Sequence, residues 1–134
     1  MTRPRRLLVL DDDPDFAAFV ATVGTRTGFA VTVTATAQEF ERAYLEAPPD
    51  VITLDMVMAD RDGVETVKWL ASQQCPARII IMSGFNVLYS RAAKALGEIR
   101  GDLRISTLQK PVKLADLRAA LTAGLDGESL DKPA

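Results

Sequence analysis

Five polar residues stand at or just after the ends of apolar runs, and their types suit the binding of a metal ion and a phosphate group. They are Asp11, Asp12, Asp55, Ser83 and Lys110. If the strands before Asp11 and Asp55 are neighbours, the carboxylates meet, and each like-charged pair at ~4 Å costs on the order of 1 to 4 kcal/mol. A divalent cation removes that cost, and Mg²⁺ fits because it binds few protein carboxylates and readily accepts phosphate oxygens. A carboxylate beside Mg²⁺ can then attack an anionic phosphoryl donor as a nucleophile.

Several acidic and polar residues also have an ordinary structural interpretation. Ser83 alone is typical of a strand-end hydroxyl bonded to backbone, and Lys110 alone of a solvated lysine. Asp13 and Asp15 lie on either side of Pro14, as expected of residues that begin a helix. We therefore assign Asp13 and Asp15 to a helix start, and the five residues named above to one functional site.

The composition is that of an ordinary globular protein. The chain has 134 residues, of which 48% are hydrophobic and 25% charged, enough for one domain with a core. Its formal net charge of −2 provides no basic field for nucleic acid. It contains no histidine, which excludes Ser-His-Asp triads, histidine-ligated zinc and a phosphohistidine on this chain. Any chemistry must therefore rest on carboxylates, hydroxyls and lysine.

The sequence shows no sign of secretion or membrane insertion. The basic cluster Arg3, Arg5 and Arg6 precedes only four apolar residues before Asp11, which is too short for a signal peptide. No apolar run approaches the ~20 residues of a membrane span. Cys75 is the single cysteine and cannot form an internal disulfide. We expect a cytoplasmic protein without a membrane or nucleic-acid partner.

Five strands are predicted from apolar runs and β-branched residues. Leu7–Leu10, Val51–Leu54 and Arg78–Met82 lack polar alternation, as expected of parallel strands covered on both faces. Weaker strands are predicted at Phe29–Thr34 and Arg104–Leu108. Because ligands of such sheets bind beyond the carboxyl ends of the strands, the polar strand-end residues are expected to converge.

Helical periodicity separates the predicted strands. A capping-box pattern at Thr36–Glu39 begins the second helix, and Gly28 ends the first. The apolar stripes of the other four helices lie at 16–23, 64–70, 87–96 and 114–125. Strands alternating with helices predict an α/β fold, a doubly wound parallel sheet with helices on both faces. Residues 126–134 have few apolar side chains, so we expect one domain over 1–125 followed by a short flexible tail.

The polar strand-end residues, taken with their neighbours, resemble the receiver domain of bacterial two-component response regulators. The matching segments are Leu-Val-Leu-Asp11-Asp12-Asp, Asp55-Met-Val-Met-Ala-Asp-Arg-Asp62-Gly63, Met-Ser83-Gly84 and Lys110-Pro111. They occur in the family's order between about Leu7 and Leu125. The resemblance implies a flavodoxin-like (βα)5 fold with strand order 2-1-3-4-5. It also implies a phosphorelay protein that is phosphorylated by a histidine kinase or phosphotransfer protein.

The resemblance also implies a role for each residue of the site. Asp55 would be the phosphoacceptor, and Mg²⁺ would be positioned by Asp11 and Asp12, directly or through water, with Asp55 and the backbone carbonyl of Val57. The phosphate-binding and switch positions would be Ser83, Gly84, Lys110 and Thr107. Lys110 and Pro111 would be joined by a cis peptide bond. The only catalysis expected is the protein's own phosphorylation and dephosphorylation.

The chain departs from the family's pattern around the switch. Thr107 stands where receivers commonly have Tyr or Phe, and Ala59 where they usually have proline. Phe85 or Tyr89 could replace the missing aromatic side chain.

The segment after Ser83 is also longer than usual. It predicts a fourth helix extended through Glu98 and a loop at Gly101-Asp102. Its opening Ser-Gly-Phe-Asn-Val-Leu is similar to a receiver subgroup often found beside cyclic-di-GMP phosphodiesterase domains. We expect output by binding of a partner protein at the face formed by the fourth helix, fifth strand and fifth helix, where the departures cluster.

Two other functions remain open. A small aspartate-nucleophile phosphohydrolase of the haloacid dehalogenase type would use Asp11 as nucleophile, with Asp13, Ser83 and Lys110 in that family's order. A degenerate receiver would fold and bind partners without phosphorylation, as the Thr107 departure permits. Locating the phosphorylated residue distinguishes the first alternative from the receiver.

Overall fold

Five strands and five helices alternate along the chain in the computed structural model. It describes residues 3–58, 62–84 and 87–123; within the last range the side chains of 87–90, 100 and 101 are not described. The strands are β1 Arg6–Leu10, β2 Ala30–Thr34, β3 Val51–Asp55, β4 Arg78–Ser83 and β5 Arg104–Gln109. The helices are α1 Pro14–Arg26, α2 Ala37–Glu46, α3 Gly63–Ser72, α4 Val87–Gly101 and α5 Leu114–Thr122.

All described strand pairs are parallel, and the strand order is β2-β1-β3-β4-β5. The predicted α/β fold and strand order are therefore confirmed. The order reverses between β1 and β3, which are neighbours although β2 lies between them in sequence. In this register Leu10 is opposite Leu54, so the carboxyl ends of β1 and β3 lie side by side. The topology alone thus brings Asp11 next to Asp55.

The sheet separates two apolar layers. Every residue of β3 is buried, as its uninterrupted apolar sequence predicts for a central parallel strand. On one face, Leu54 and Ile81 pack with Phe40 of α2 and Leu70 of α3. The other face packs against α1 and α5, with the buried residues Leu7, Val9, Val20, Ile80, Met82, Leu117 and Leu121. The two weaker predicted strands are the edge strands, which accounts for their mixed sequences and exposed residues.

Side chains at the helix starts satisfy backbone N–H groups, but not always as the sequence pattern predicts. Asp13 caps α1 by accepting hydrogen bonds from the N–H groups of Asp15 and Phe16. Thr36 caps α2 by accepting the N–H of Glu39 at 3.1 Å. The Glu39 carboxylate, however, accepts the N–H of Ala35 at 2.9 Å, one residue before the position of a standard capping box.

Helix α4 is longer than predicted. It reaches Gly101 rather than ending near Glu98, and the turn follows at Asp102, whose φ is 53°. Within α4, a Cβ on Gly97 would lie 2.7 Å from Ile105 Cδ1 and 2.9 Å from Val67 Cγ1. Glycine therefore allows α4 to pack closely on β5 and α3. Among the described helices, none combines the length and hydrophobicity needed to cross a membrane.

Three sequence-based expectations fall outside the described part of the chain. They concern Ala59, Phe85 and the segment 124–134, which includes Leu125 and the predicted tail. The side chain of Tyr89 is likewise not described.

Candidate functional site

Three carboxylates meet at the carboxyl end of the sheet. One oxygen from each of Asp11, Asp12 and Asp55 lies within 4.8 Å of the others. Asp11 and Asp55 are 3% and 8% exposed, whereas Asp12 is exposed. An all-oxygen set of this kind fits a hard divalent cation such as Mg²⁺, which keeps several waters beside a few carboxylates. The convergence predicted from the sequence is therefore present for these three residues.

Backbone hydrogen bonds fix the positions of the two buried carboxylates. Asp11 Oδ1 accepts the N–H of Asp13 at 2.9 Å, and the Asp11 N–H donates to the carbonyl of Thr34 at 3.1 Å. Asp55 Oδ1 accepts the N–H of Val57 at 3.4 Å. Each carboxylate is thus oriented by the loop that follows its own strand.

Lys110 follows directly after β5. In the order of the strands, β3 with Asp55 therefore lies between Lys110 and the exposed Asp12, which follows β1. Lys110 Nζ is 3.5 Å from Asp55 Oδ1 and 3.7 Å from Asp11 Oδ2. Its backbone N–H donates to the carbonyl of Ser83 at 2.7 Å, and its peptide bond to Pro111 is cis, as the resemblance implies. One ammonium group against three carboxylates leaves two negative charges, which a divalent cation can neutralise.

The surroundings of Asp11 and Asp55 disfavour their charged forms. Burial raises the pKa of Asp11, and the charge of Asp55 raises it further, while the N–H of Asp13 and the charge of Lys110 lower it. Burial also raises the pKa of Asp55, against the lowering effect of Lys110 and the Val57 N–H. The folded protein therefore holds carboxylates in an unfavourable environment that a bound cation would relieve.

The predicted switch positions lie on the neighbouring strands. Ser83 is buried at the end of β4, and Gly84 follows it directly. Thr107 is exposed on β5 and pairs with Ile81, so it shares the face of the sheet that packs against α3. Asp55 pairs with Met82, whose side chain belongs to the opposite face. Thr107 is thus separated from the carboxylates by the sheet.

Val57 is a predicted metal ligand through its backbone carbonyl. Its side chain is 68% exposed, and its N–H contacts Asp55 as described above. The role of its carbonyl stays a prediction.

Phe16 is a site residue that the sequence pattern assigned only to the core. Lys110 Nζ lies 4.4 Å from the centroid of its ring, a cation–π distance. Phe16 lies in the first turn of α1, immediately after the acidic loop. Because it also fits the apolar stripe of this helix, the sequence pattern predicts only a core position for it. A large apolar residue directly after an acidic strand-end loop is the signal that could have indicated it.

Gly63 also shapes the loop after Asp55. A Cβ there would collide with Met56 Sδ and lie 3.0 Å from Met56 Cα. Its N–H donates to the Met56 carbonyl at 2.8 Å, and Asp62 caps α3 by accepting the N–H of Glu65. The glycine is required by this close approach of the backbone, beyond the turn that the sequence predicts.

In metal-free protein, Asp11→Asn is expected to stabilise the fold at neutral pH by about 1 to 2 kcal/mol, because it removes a buried charge beside Asp55. A raised carboxyl pKa means that the folded state binds the proton more tightly than the unfolded chain. The free energy of unfolding therefore falls as the pH rises from the usual value of 3.8 through the raised pKa. The gain from the substitution should be full at neutral pH and smaller in acid.

Urea unfolding in the presence of EDTA measures this difference. Asp15→Asn is the control, because it makes the same charge change at an exposed residue that does not contribute to the raised Asp11 pKa. A gain that is absent at neutral pH, or that grows on acidification, contradicts the electrostatic account.

Comparison with known proteins agrees with the geometry. Residues 7–122 match the family described as response regulator receiver domain. The chain is 28% identical over 130 residues to the photosynthetic apparatus regulatory protein RegA of Rhodobacter capsulatus, covering 96% of this chain and 66% of RegA. It is 29% identical over 94 residues to the chemotaxis protein CheY of Thermotoga maritima, covering 68% of this chain and 78% of CheY.

A solved structure supports the fold. The response regulator receiver domain protein from Clostridium thermocellum superposes with a TM-score of 0.77 at 24% identity, covering 96% of this chain and 99% of that one. The chain therefore spans just under two thirds of the length of RegA. With the family match over most of its length, the chain belongs to the response regulator receiver domain family, a family of two-component signalling domains.

Proposed function

We propose that this protein is a phosphorylation-controlled switch of a two-component or phosphorelay system, and that it accepts a phosphoryl group on Asp55. The observation that carries the proposal is the setting of the Asp55 carboxylate. It is buried at the end of β3, it shares a cluster of oxygens with Asp11 and Asp12, and it lies 3.5 Å from Lys110 Nζ. These are the surroundings that an aspartate nucleophile for phosphoryl transfer needs.

In this proposal Mg²⁺ would be held by Asp11, Asp12, Asp55 and the Val57 carbonyl. When bound, the ion would neutralise charge on the phosphoryl oxygens. An Asp55 oxygen forms the new bond to phosphorus, while the bond from phosphorus to the donor breaks and its electron pair leaves with the donor. Lys110 then pairs with a phosphate oxygen instead of the free carboxylate, and Ser83 with Gly84 supplies hydrogen-bond donors.

The phosphoryl donor must come from another molecule. The chain contains no histidine, so the proposed donor is a histidine kinase or a histidine phosphotransfer protein. The protein catalyses only its own phosphorylation and dephosphorylation in this scheme, in a cytoplasmic location. Intact mass measurement after incubation with Mg²⁺ and a small acyl phosphate tests the proposal. A gain of one phosphoryl group supports it, and an unchanged mass contradicts it.

We further propose that the output partner binds the face formed by α4, β5 and α5. Ile99 on α4 and Leu114 on α5 are 84% and 47% exposed, and Thr107 on β5 is also exposed. In this proposal the exposed side chains of Ile99 and Leu114 contact the partner, and Thr107 stands where receivers commonly have an aromatic switch residue. Amide chemical shifts with and without a phosphoryl-mimicking ligand should change along this face. Changes confined to the carboxylates and their loops contradict the assignment.

The contact between Phe16 and Lys110 predicts a measurable effect on phosphoryl transfer. Phe16→Leu is expected to slow phosphorylation by acyl phosphate about twofold to thirtyfold, because a cation over an aromatic ring gains about 0.5 to 2 kcal/mol. Phe16→Tyr should retain the wild-type rate, since it keeps the ring. Phe19→Leu is the matched control, because Phe19 lies on the same helix, 5.8 Å from the Phe16 ring. Equal slowing by the Phe16→Leu and Phe19→Leu substitutions would assign the effect to packing.

The phosphohydrolase alternative is not favoured. It requires the Asp13 carboxylate to take part in chemistry beside Asp11, but that carboxylate caps α1. The family match likewise names a receiver domain. The degenerate-receiver alternative is disfavoured by the convergence of the carboxylates with Lys110.

A further inference from the structure

A second charged site lies at the opposite end of the sheet from Asp55. Arg78 begins β4 and Arg104 begins β5, and the two residues are partners in the parallel register. Asp55 is opposite Met82, four residues after Arg78, so with a rise of about 3.3 Å per strand residue the arginines lie roughly 13 Å from Asp55 along β4. Neither arginine is part of the proposed phosphorylation chemistry.

Arg78 and Arg104 line a cavity together with a third arginine. This cavity has a volume of about 160 Å³ and is lined by Arg5, Arg78 and Arg104, with Asp50, Pro49, Pro76 and Ala77 completing the wall. Three like charges beside one carboxylate are unfavourable in a partly enclosed space. The arrangement is therefore one that an anion would stabilise.

Asp50 offsets the charge of these arginines only in part, because it interacts with Arg5 but its carboxylate also has other partners. Its Oδ2 accepts the backbone N–H of Arg6 at 2.8 Å and pairs with the Arg3 guanidinium at 3.1 Å. Burial acts to raise the pKa of Asp50, but the Arg6 N–H, Arg3 and the charge of Arg5 together hold that pKa below its usual value. Asp50 therefore remains ionised and bound to Arg3.

Arg78 also has an unsatisfied hydrogen-bond donor. Its Nε is buried, and among the residues that the structure describes it has no hydrogen-bond partner. Burial and the neighbouring charge of Arg104 both lower the pKa of Arg78. Arg104 is held in place by a hydrogen bond of 2.6 Å from its Nη2 to the Pro76 carbonyl, and its guanidinium group has further N–H donors that a ligand could accept.

The size of the cavity decides between a small anion and a protein segment. A volume of about 160 Å³ has room for several waters, and hence for a tetrahedral oxyanion, but not for a helix or a strand of a partner. Guanidinium groups bind the paired oxygens of phosphate in a bidentate manner. A larger neighbouring cavity also contains Arg78 and Arg104, but Glu98 and Asp102 line it and make it less suited to an anion.

We propose that Arg5, Arg78 and Arg104 form a binding site for a phosphate group at the amino-terminal end of the sheet. The ligand is a small phosphate-bearing anion, either inorganic phosphate or a phosphomonoester. The site is independent of Asp55 and of Mg²⁺. It would allow the concentration of a small phosphate compound to affect the stability of the receiver directly.

NMR of the arginine Nε–H groups in the full chain tests this site without relying on phosphorylation. Metal-free protein in EDTA is titrated with inorganic phosphate, with a ribose phosphate, and with sodium chloride at matched ionic strength. The Nε–H signals of Arg78 and Arg104 should shift saturably with a phosphate compound and not with chloride. If only inorganic phosphate saturates the shifts, the ligand of the site is the free ion. If the ribose phosphate saturates them as well, the site recognises the phosphate group whether or not it is esterified.

Substitutions locate the binding. Arg78→Gln and Arg104→Gln are each expected to weaken phosphate binding about tenfold or more, because each removes charge-assisted hydrogen bonds. Arg26→Gln, at the last turn of α1, is the control with the same charge change and should bind as the wild type does. Asp55→Asn should leave the titration unchanged, which separates this site from the phosphorylation site. Either of two results overturns the proposal: wild-type signals that never saturate with phosphate, or equal phosphate affinity in all variants. The first result does not depend on the variants, so the test holds even if one of them fails to fold.

Discussion

Asp55→Asn is expected to abolish covalent uptake of the phosphoryl group, with a rate at least about a thousandfold below that of the wild type. An amide is not a nucleophile toward phosphorus, but it has the shape of the carboxylate. Its oxygen can still accept the Val57 N–H, so the loop after β3 should keep its conformation. The substitution therefore removes the nucleophilic carboxylate of Asp55 while the side chain keeps its size and its packing.

The measurement is the time course of intact mass in the presence of Mg²⁺ and a small acyl phosphate. Asp13→Asn serves as the matched control, because Asp13 lies in the same acidic loop as Asp11 but caps α1. The control should be phosphorylated at close to the wild-type rate. Uptake that survives Asp55→Asn would show that another residue accepts the phosphoryl group.

Removal of Mg²⁺ is expected to slow phosphorylation by about a hundredfold or more, since a divalent ion contributes several kcal/mol to the stabilisation of developing charge. The physical reason is the surplus of negative charge at the site, where three carboxylates meet one ammonium group. A phosphoryl donor is itself anionic and would be repelled by that surplus. Addition of Mg²⁺ after EDTA should restore the rate.

Asp12→Asn gives this prediction a second readout. Asp12 is the exposed member of the cluster, so its substitution should leave the fold intact while raising the Mg²⁺ concentration needed for half-maximal rate. Thermal unfolding with increasing Mg²⁺ reports binding without chemistry, because a ligand that binds only the folded state raises the unfolding temperature. If Mg²⁺ neither stabilises the wild type nor accelerates its phosphorylation, the metal assignment is wrong.

The sequence predicts the centre of this fold better than its edges. The β3 sequence is apolar throughout because both of its faces are buried, and this pattern has few alternative interpretations. Once β1 and β3 are neighbours, the positions of Asp11 and Asp55 follow from the topology. The edge strands have mixed sequences because part of each is exposed, so the β2 and β5 patterns are weaker.

Contacts between residues far apart in sequence could not be predicted in the same way. The ring of Phe16 fits a helical stripe, and only the structure shows Lys110 above it. Arg78 and Arg104 each resemble an ordinary charged strand start, and their proximity depends on the register of β4 and β5. The sequence predicts an end of α4 near Glu98, before the observed end at Gly101, because no sequence signal marks the close packing that Gly97 allows.

We propose that Asp55, rather than another carboxylate of the cluster, carries the phosphoryl group. Borohydride reduction of the phosphorylated protein, which converts an acyl phosphate of aspartate to homoserine, followed by peptide mass spectrometry, locates that residue directly. Our account predicts modification at Asp55 and at no other aspartate. Modification at Asp11 would contradict it and would favour a phosphohydrolase of the aspartate-nucleophile type.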